Sequence, residues 1–149
     1  MCFPNATCLA ATWDTKLLYE VGIELGKDTK TKNASVLLAP TINCHRSPLG
    51  TYHLVSKLML GGRHFESYSE DPVLSGKIAA AYINGLQSQG VGATIKHFAA
   101  NETEWERRRI NVNVSEKALR EIYYLPFQIA IREAHPWCVM TSYALARID

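Results

Sequence analysis

Four short apolar runs alternate with three helix-length amphipathic stretches along this chain, and that alternation restricts its fold more than any other feature. The runs at 9–12 (LAAT), 35–40 (SVLLAP), 92–95 (GATI) and 138–141 (CVMT) are continuously apolar, as strands covered on both faces are. Between the first two, Asp14 is placed to cap a helix whose stripe is Leu17, Leu18, Val21, Ile23 and Leu25, with Gly26 near its end. Asp71-Pro72 reads as a cap followed by proline at the first helical position, and Gly90 suits the left-handed residue at that helix's end. Ser115-Glu116 opens a third helix with an apolar face from Leu119 to Ile131, and Pro126 inside it predicts a kink.

Strands separated by helices build right-handed βαβ units in a parallel sheet. No G-x-G-x-x-G or phosphate loop opens any helix, which argues against a nucleotide-binding doubly wound fold. The 149 residues are too few for a complete (β/α)8 barrel of about 250. The expected fold is therefore α/β: a partial (β/α)8 TIM-type barrel, about half of one, with parallel strands alternating with helices. Such a half leaves two strand edges open and one sheet face poorly covered.

With 16 Lys+Arg against 14 Asp+Glu and 47% hydrophobic residues, the composition is that of a globular chain, not a disordered or nucleic-acid-binding tail. No window reaches the ~20 apolar residues of a membrane span. The start, MCFPNATCLAATWD, has no basic region followed by a clean apolar core. Either the protein is intracellular or its true N-terminus is missing. Cys2, Cys8, Cys44 and Cys138 lack C-x-x-C spacing and read as buried free thiols, with a Cys2–Cys8 bridge as the alternative in an oxidising compartment. The five histidines show no zinc pattern. The sequons at Asn5, Asn33, Asn101 and Asn113 matter only if the chain is secreted.

In barrels of this kind functional side chains stand at the C-terminal ends of strands and in the loops that follow. Those positions here hold Asn43, His45, Arg46, Arg63, His64 and Glu66; then Lys96, His97 and Asn101; then Ser142 and Tyr143. A polar rim with aromatic faces suits a polyhydroxylated ligand. Plainer readings stand beside it. Lys96 and His97 could be solvated residues at a strand end, and Arg63 could pair with Glu66 or Asp71 as a structural salt bridge. The run 102–109 (ETEWERRR) reads as a solvated mixed-charge loop.

The segments NCHRSPLG, GGRHFESYSEDPVLSGKIAAAYINGLQSQGVGATIKHFAAN and SEKALREIYYLPFQIAIREAHPWCVMTSY together resemble the N-terminal barrel of glycoside hydrolase family 3, its fungal and bacterial β-glucosidases in particular. The resemblance runs from Phe3 to Tyr143. It implies that Arg63 of G-R-x-F-E and the Lys96-His97 pair of K-H-F hold hydroxyls of a nonreducing-end sugar. It implies too that Met140 and Tyr143 line the same subsite. Ala99-Ala100-Asn101 follows K-H-F where the N-acetylhexosaminidase branch has P-G-H-G, so that branch is disfavoured.

The resemblance further implies hydrolysis of a terminal β-D-glucosyl residue with retention, without metal or organic cofactor. Retention needs two carboxylates about 5 Å apart across the bond. In the family these are an aspartate on a later strand and a glutamate in a second, C-terminal domain. None of the 14 acidic residues here matches either one. The expected organisation is one partial barrel domain over 1–149, inactive alone and partnered by that missing C-terminal domain. The family's P-L-G-G-R segment is interrupted by residues 51–60 (TYHLVSKLML), and ALARID replaces its asparagine-rich turn after Tyr143. Both departures read as misread gene boundaries, with a genuine loop insertion as the alternative for 51–60. Two other functions compete: a noncatalytic sugar-binding remnant, and an unrelated barrel enzyme using Lys96 as a Schiff-base amine.

Overall fold

The computed structural model describes residues 2–44, 63–102, 107–143 and 145–148. The interrupting segment 51–60, His45 and Arg46 lie outside the described residues. In chain order the elements are α1 (Ala6–Ala10), α2 (Thr15–Thr31), β1 (Val36–Leu37), a 3-10 turn (His64–Glu66), α3 (Pro72–Gln87) and β2 (Gly92–Phe98). They continue with β3 (Asn111–Val114), α4 (Glu116–Ala118), a π-helical turn (Leu119–Tyr123), α5 (Leu125–Ala134), β4 (Cys138–Thr141) and β5 (Leu145–Ile148). A three-stranded parallel sheet runs in the order β1-β2-β4, and β3 pairs in parallel with β5.

The expected first strand is a helix. Asn5 caps it, its side chain accepting from Cys8 N, and Ala10 is buried while Trp13 turns the chain with a positive φ. A four-residue apolar run is too short for periodicity to separate a strand from a buried helical turn. The sheet therefore holds three barrel-type strands among the described residues, one fewer than expected. The expected cysteine burial also holds only in part: Cys44 is buried and Cys138 half-buried, but Cys2 and Cys8 are exposed thiols.

The helix caps follow the sequence closely. Asp14 accepts from Lys16 N and Leu17 N, and Asp71 from Val73 N and Leu74 N. These bonds satisfy amides that have no partner inside the helix. Of the two partners expected for Arg63, Asp71 serves as this cap and Glu66 forms the ion pair. Helix α2 continues through Gly26 to Thr31, and Gly26 sits against the Gln89 side chain, where a Cβ would collide. The third helix is broken in three. Tyr124 N bonds Leu119 O, one residue beyond the α-helical spacing, and Pro126 falls in the first turn of α5. The Ile122 carbonyl, whose α-helical donor would be the missing Pro126 amide, accepts from Cys44 Sγ at 3.6 Å.

One helical layer covers one face of the sheet. Ala93 and Ile95 of β2, with Leu37 and Ala39, pack against Ile78, Ala79, Ile83 and Leu86 of α3. Each fully buried aliphatic side chain there contributes roughly 1.5–3 kcal/mol. On the opposite face Val36 and Leu38 are 41% and 57% exposed, the poorly covered side expected of part of a barrel. Gln87 ties the layers together. Its Nε2 donates to the Ala134 and His135 carbonyls, while its Oε1 accepts from Trp137 N and Ala93 N. Among the described residues no helix is long and apolar enough to cross a membrane.

Strands β3 and β5 were not expected from the sequence. The NVNV pattern alternates polar and apolar residues over only four positions, and its partner is the ALARID tail that read as unrelated.

Helices α2 and α3 approach so closely that their backbones touch. A Cβ on Gly22 would fall on Tyr82 O, and one on Gly85 on Tyr19 O. Because backbone carbonyls cannot rotate away, Gly85→Ala is expected to lower unfolding free energy by about 2–3 kcal/mol in urea denaturation. Lys77→Ala, which loses only the exposed Glu133 ion pair, is expected to cost under about 1 kcal/mol in the same measurement.

Candidate functional site

The site is built where β1 and β2 end. Beyond Leu37 the chain stays alongside β2: Lys96 N bonds Pro40 O and Ile42 N bonds Lys96 O, and Thr41 bridges both Lys96 and Ser67. Since Ala93 and Ile95 face the helices, Thr94 and Lys96 project from the other face of the strand. Lys96 Nζ lies 3.3 Å from Glu66 Oε2, with only 12% of the lysine side chain exposed.

Glu66 gathers the rim's charged groups. Arg63 Nε donates to Oε1 and Nη2 to Oε2, each at 2.9 Å, and Thr41 Oγ1 donates to Oε2 at 3.0 Å. Arg63 and Glu66 stand three residues apart around the 3-10 turn, which permits the two-pronged contact. Burial alone would raise the Glu66 carboxyl. The Arg63 hydrogen bonds, the Lys96 and Arg63 charges and the Thr41 hydroxyl outweigh it, holding the group at about 2 against an ordinary 4.5.

His97 is held differently. Asn43 Nδ2 donates to His97 O at 3.0 Å and Asn43 Oδ1 accepts from His97 N at 2.8 Å, so one side chain supplies both bonds of a strand neighbour. Oδ1 also lies 3.3 Å from His97 Nδ1, and since that oxygen can only accept, the ring proton belongs on Nδ1. Register between β2 and β4 shifts between Lys96 and Phe98, and the Lys96–His97 and Phe98–Ala99 peptide bonds are cis.

The structure thus brings Arg63, Lys96 and His97 to one place. Arg63 and His97 line a cleft with Thr41, Asn43, His64, Asn101 and Glu102, and Lys96, outside that lining, is joined to Arg63 by the carboxylate of Glu66 that both contact. His97 is buried and the Lys96 side chain is only 12% exposed, so the solvated strand-end reading fails for both. For Arg63 the structural salt bridge exists, with Glu66. Met140 is the register partner of Lys96 on β4.

Tyr143 stands apart from that cleft. Its exposed ring lies beneath the Arg107 and Arg108 guanidiniums, 5.2 and 5.4 Å from its centre. Of the described residues in the mixed-charge run 102–109, Glu102 lines the cleft, and Arg107 and Arg108 cover an aromatic face while Arg108 and Arg109 stay exposed. Ser142 links the two regions, with its amide bonding Phe98 O and its hydroxyl donating to Asn101 Oδ1.

Asn43 and Glu66 were both expected at the rim, and Glu66 also as a partner of Arg63; what the sequence reading missed is that Glu66 holds Lys96 as well and that Asn43 holds His97. The R-x-x-E spacing was a usable signal for the Arg63 pair alone. No local signal marked the hold of Asn43 on His97, 54 residues away.

The sequence pattern of the glycosyl hydrolase family 3 N terminal domain matches residues 1–149, and the chain belongs to this family. It is 54% identical over 142 residues to β-glucosidase B of Emericella nidulans and equally so to a β-glucosidase of Rhizobium radiobacter. Those matches cover 95% of the chain but 16% of each relative, so the chain spans about a sixth of their length. The solved structure of β-glucosidase 3B from Thermotoga neapolitana in complex with glucose superposes with a TM-score of 0.89 at 47% identity, covering 99% of this chain and 19% of that one.

The low Glu66 value carries a pH dependence. A carboxyl held below its ordinary value contributes stability that is fully present above about pH 4.5 and is lost as pH falls through about 2. Urea titrations are expected to find the wild type more stable than Glu66→Gln by on the order of 2 kcal/mol near neutral pH. The difference should shrink as pH falls from about 4.5 toward 2 and vanish below it.

Proposed function

We propose that this chain supplies the glucose-holding rim of a retaining β-glucosidase. In that role Arg63, Lys96 and His97 hold hydroxyls of the terminal sugar, the two cations as donors, and Met140 and Tyr143, outside the lining of the cleft, extend the same subsite. The observation that carries the reading is the convergence of Arg63 with the Lys96-His97 pair, some thirty residues away in sequence, at the strand ends, where Arg63 and His97 line one cleft and Lys96 shares Glu66 with Arg63. Charged donors suit this task, since a hydrogen bond from a charged group contributes about 1.5–3 kcal/mol. The relatives' names and the glucose in the Thermotoga structure supply the substrate class.

The chain's part in the reaction is binding. Glu66, at the centre of the rim, already accepts from Arg63 and Thr41 and faces Lys96, so its oxygens are committed to the protein. The nucleophile and the acid/base belong to the C-terminal parts of the enzyme, which act with this domain as its partner. Between them they would open the glycosidic bond through a covalent glycosyl-enzyme, which water then hydrolyses with net retention. The Schiff-base alternative fits poorly. It needs the Lys96 amine against an apolar wall, and a carboxylate stands there instead.

The domain organisation stays with this proposal: a partial barrel over 1–149 with an insertion at 51–60. The test is a chimera in which this chain replaces the matching stretch of the Emericella enzyme. Lys96→Ala, Arg63→Ala and His97→Ala are each expected to lower kcat/KM on an aryl β-glucoside roughly ten- to a hundredfold. Lys77→Ala should leave it near the starting value. Equal small effects from all four would place the Lys-His pair outside the subsite. Deleting residues 51–60 from the chimera should raise activity and soluble yield together.

A further inference from the structure

We propose that the π-helical turn Leu119–Tyr123, with Tyr124 directly after it, positions His97 in the cleft. The inference rests on the glucose-binding reading above and gives a positioning role to residues that do not line the cleft. His97 sits where β2 leaves its regular pairing with β4, since the register shifts between Lys96 and Phe98. Two other residues hold it there, Asn43 across from it and Phe98 after it. Both lead back to this one turn.

The first anchor runs through Cys44. Asn43 bonds the amide and the carbonyl of His97, and the thiol of the next residue, Cys44, donates to Ile122 O at 3.6 Å. That carbonyl is open to a thiol because residue 126 is proline and brings no amide to it. The second anchor runs through Phe98. Its ring stacks on Tyr124, with centres 5.1 Å apart and planes 16° apart, and meets Phe127 edge-on at 5.1 Å. Phe98 is 39% exposed, so these two rings rather than full enclosure fix it. Tyr124 N bonds Leu119 O at the π spacing, and the extra residue in that turn sets where the Tyr124 ring falls. Ile122 and Tyr124, two residues apart, thus secure both holders of His97. Neither lines the cleft, so a change in them reaches a bound sugar through His97.

The test is a double-mutant cycle on kcat/KM in the chimera that carries this chain within the Emericella enzyme. Tyr124→Leu removes the stacking face and keeps the apolar bulk. It is expected to lower kcat/KM on an aryl β-glucoside about three- to tenfold, the range set by one aromatic pair. In a His97→Ala background the same change should cost less than about twofold, because the group it positions is gone. In an Arg63→Ala background it should keep its full effect. A merely structural role would lower both backgrounds alike. Tyr124→Phe retains the ring and should restore the starting value, and Gln128→Ala, exposed on α5, should stay near it.

An equal effect of Tyr124→Leu in the two backgrounds overturns the proposal and leaves the glucose-binding reading standing. So does the absence of any effect in the unmodified chimera. If Tyr124→Leu gives no soluble enzyme, Cys44→Ala, which cuts the other anchor, runs the same cycle and is judged the same way. A His97→Ala chimera as active as its parent overturns this proposal together with the part of the glucose-binding reading that rests on His97.

Discussion

Strand β2 answers to two neighbours and two environments at once, and the rest of the molecule is arranged around that demand. Lying between β1 and β4, it presents Ala93 and Ile95 to the helical layer, where α3 seals them completely. The same two-residue period then turns Lys96 the opposite way, carrying a charge into surroundings that leave it only 12% exposed. A charge so placed needs a partner, because leaving it unpaired costs several kcal/mol. Glu66 is that partner, and it is itself secured by Arg63 and Thr41. The rim chemistry therefore follows from the pleat of one strand and the turn that brings Glu66 to it.

The second device is Asn43. Where the β2–β4 register shifts, the His97 backbone would lose a strand neighbour, and the Asn43 carboxamide takes that neighbour's place with a donor and an acceptor. The same oxygen lies beside the imidazole and fixes which ring nitrogen carries a proton. One buried amide thus completes the sheet and sets the chemistry of a site residue.

Helix ends were legible because capping is local. Asp14 and Asp71-Pro72 sit two and three residues from the amides they satisfy, and both start a helix where the sequence places it. The central strands were legible because they are continuously apolar. Misreadings occurred where the deciding contact was distant or the pattern short. Residues 9–12 read as a strand until the Asn5 cap and the burial of Ala10 made them part of a helical turn. Strands β3 and β5 depend on each other across some thirty residues, and neither carries a pattern long enough to stand out. Tyr143 followed from a motif, yet its ring packs under Arg107 and Arg108, a contact that no motif position implies.

The sequence by itself determined the alternation of strands and helices, the capped helix starts, the family motifs and the identity of Arg63, Lys96 and His97 as rim residues. These rest on local periods and on side chains near one another along the chain. Tertiary structure alone decided that Arg63 and Lys96 share one carboxylate, that Asn43 holds His97, and that α2 and α3 meet at glycine backbones. Each of those depends on groups brought within 3–4 Å from distant parts of the chain. At that range desolvation and hydrogen-bond geometry set the energy, and neither can be read from linear spacing.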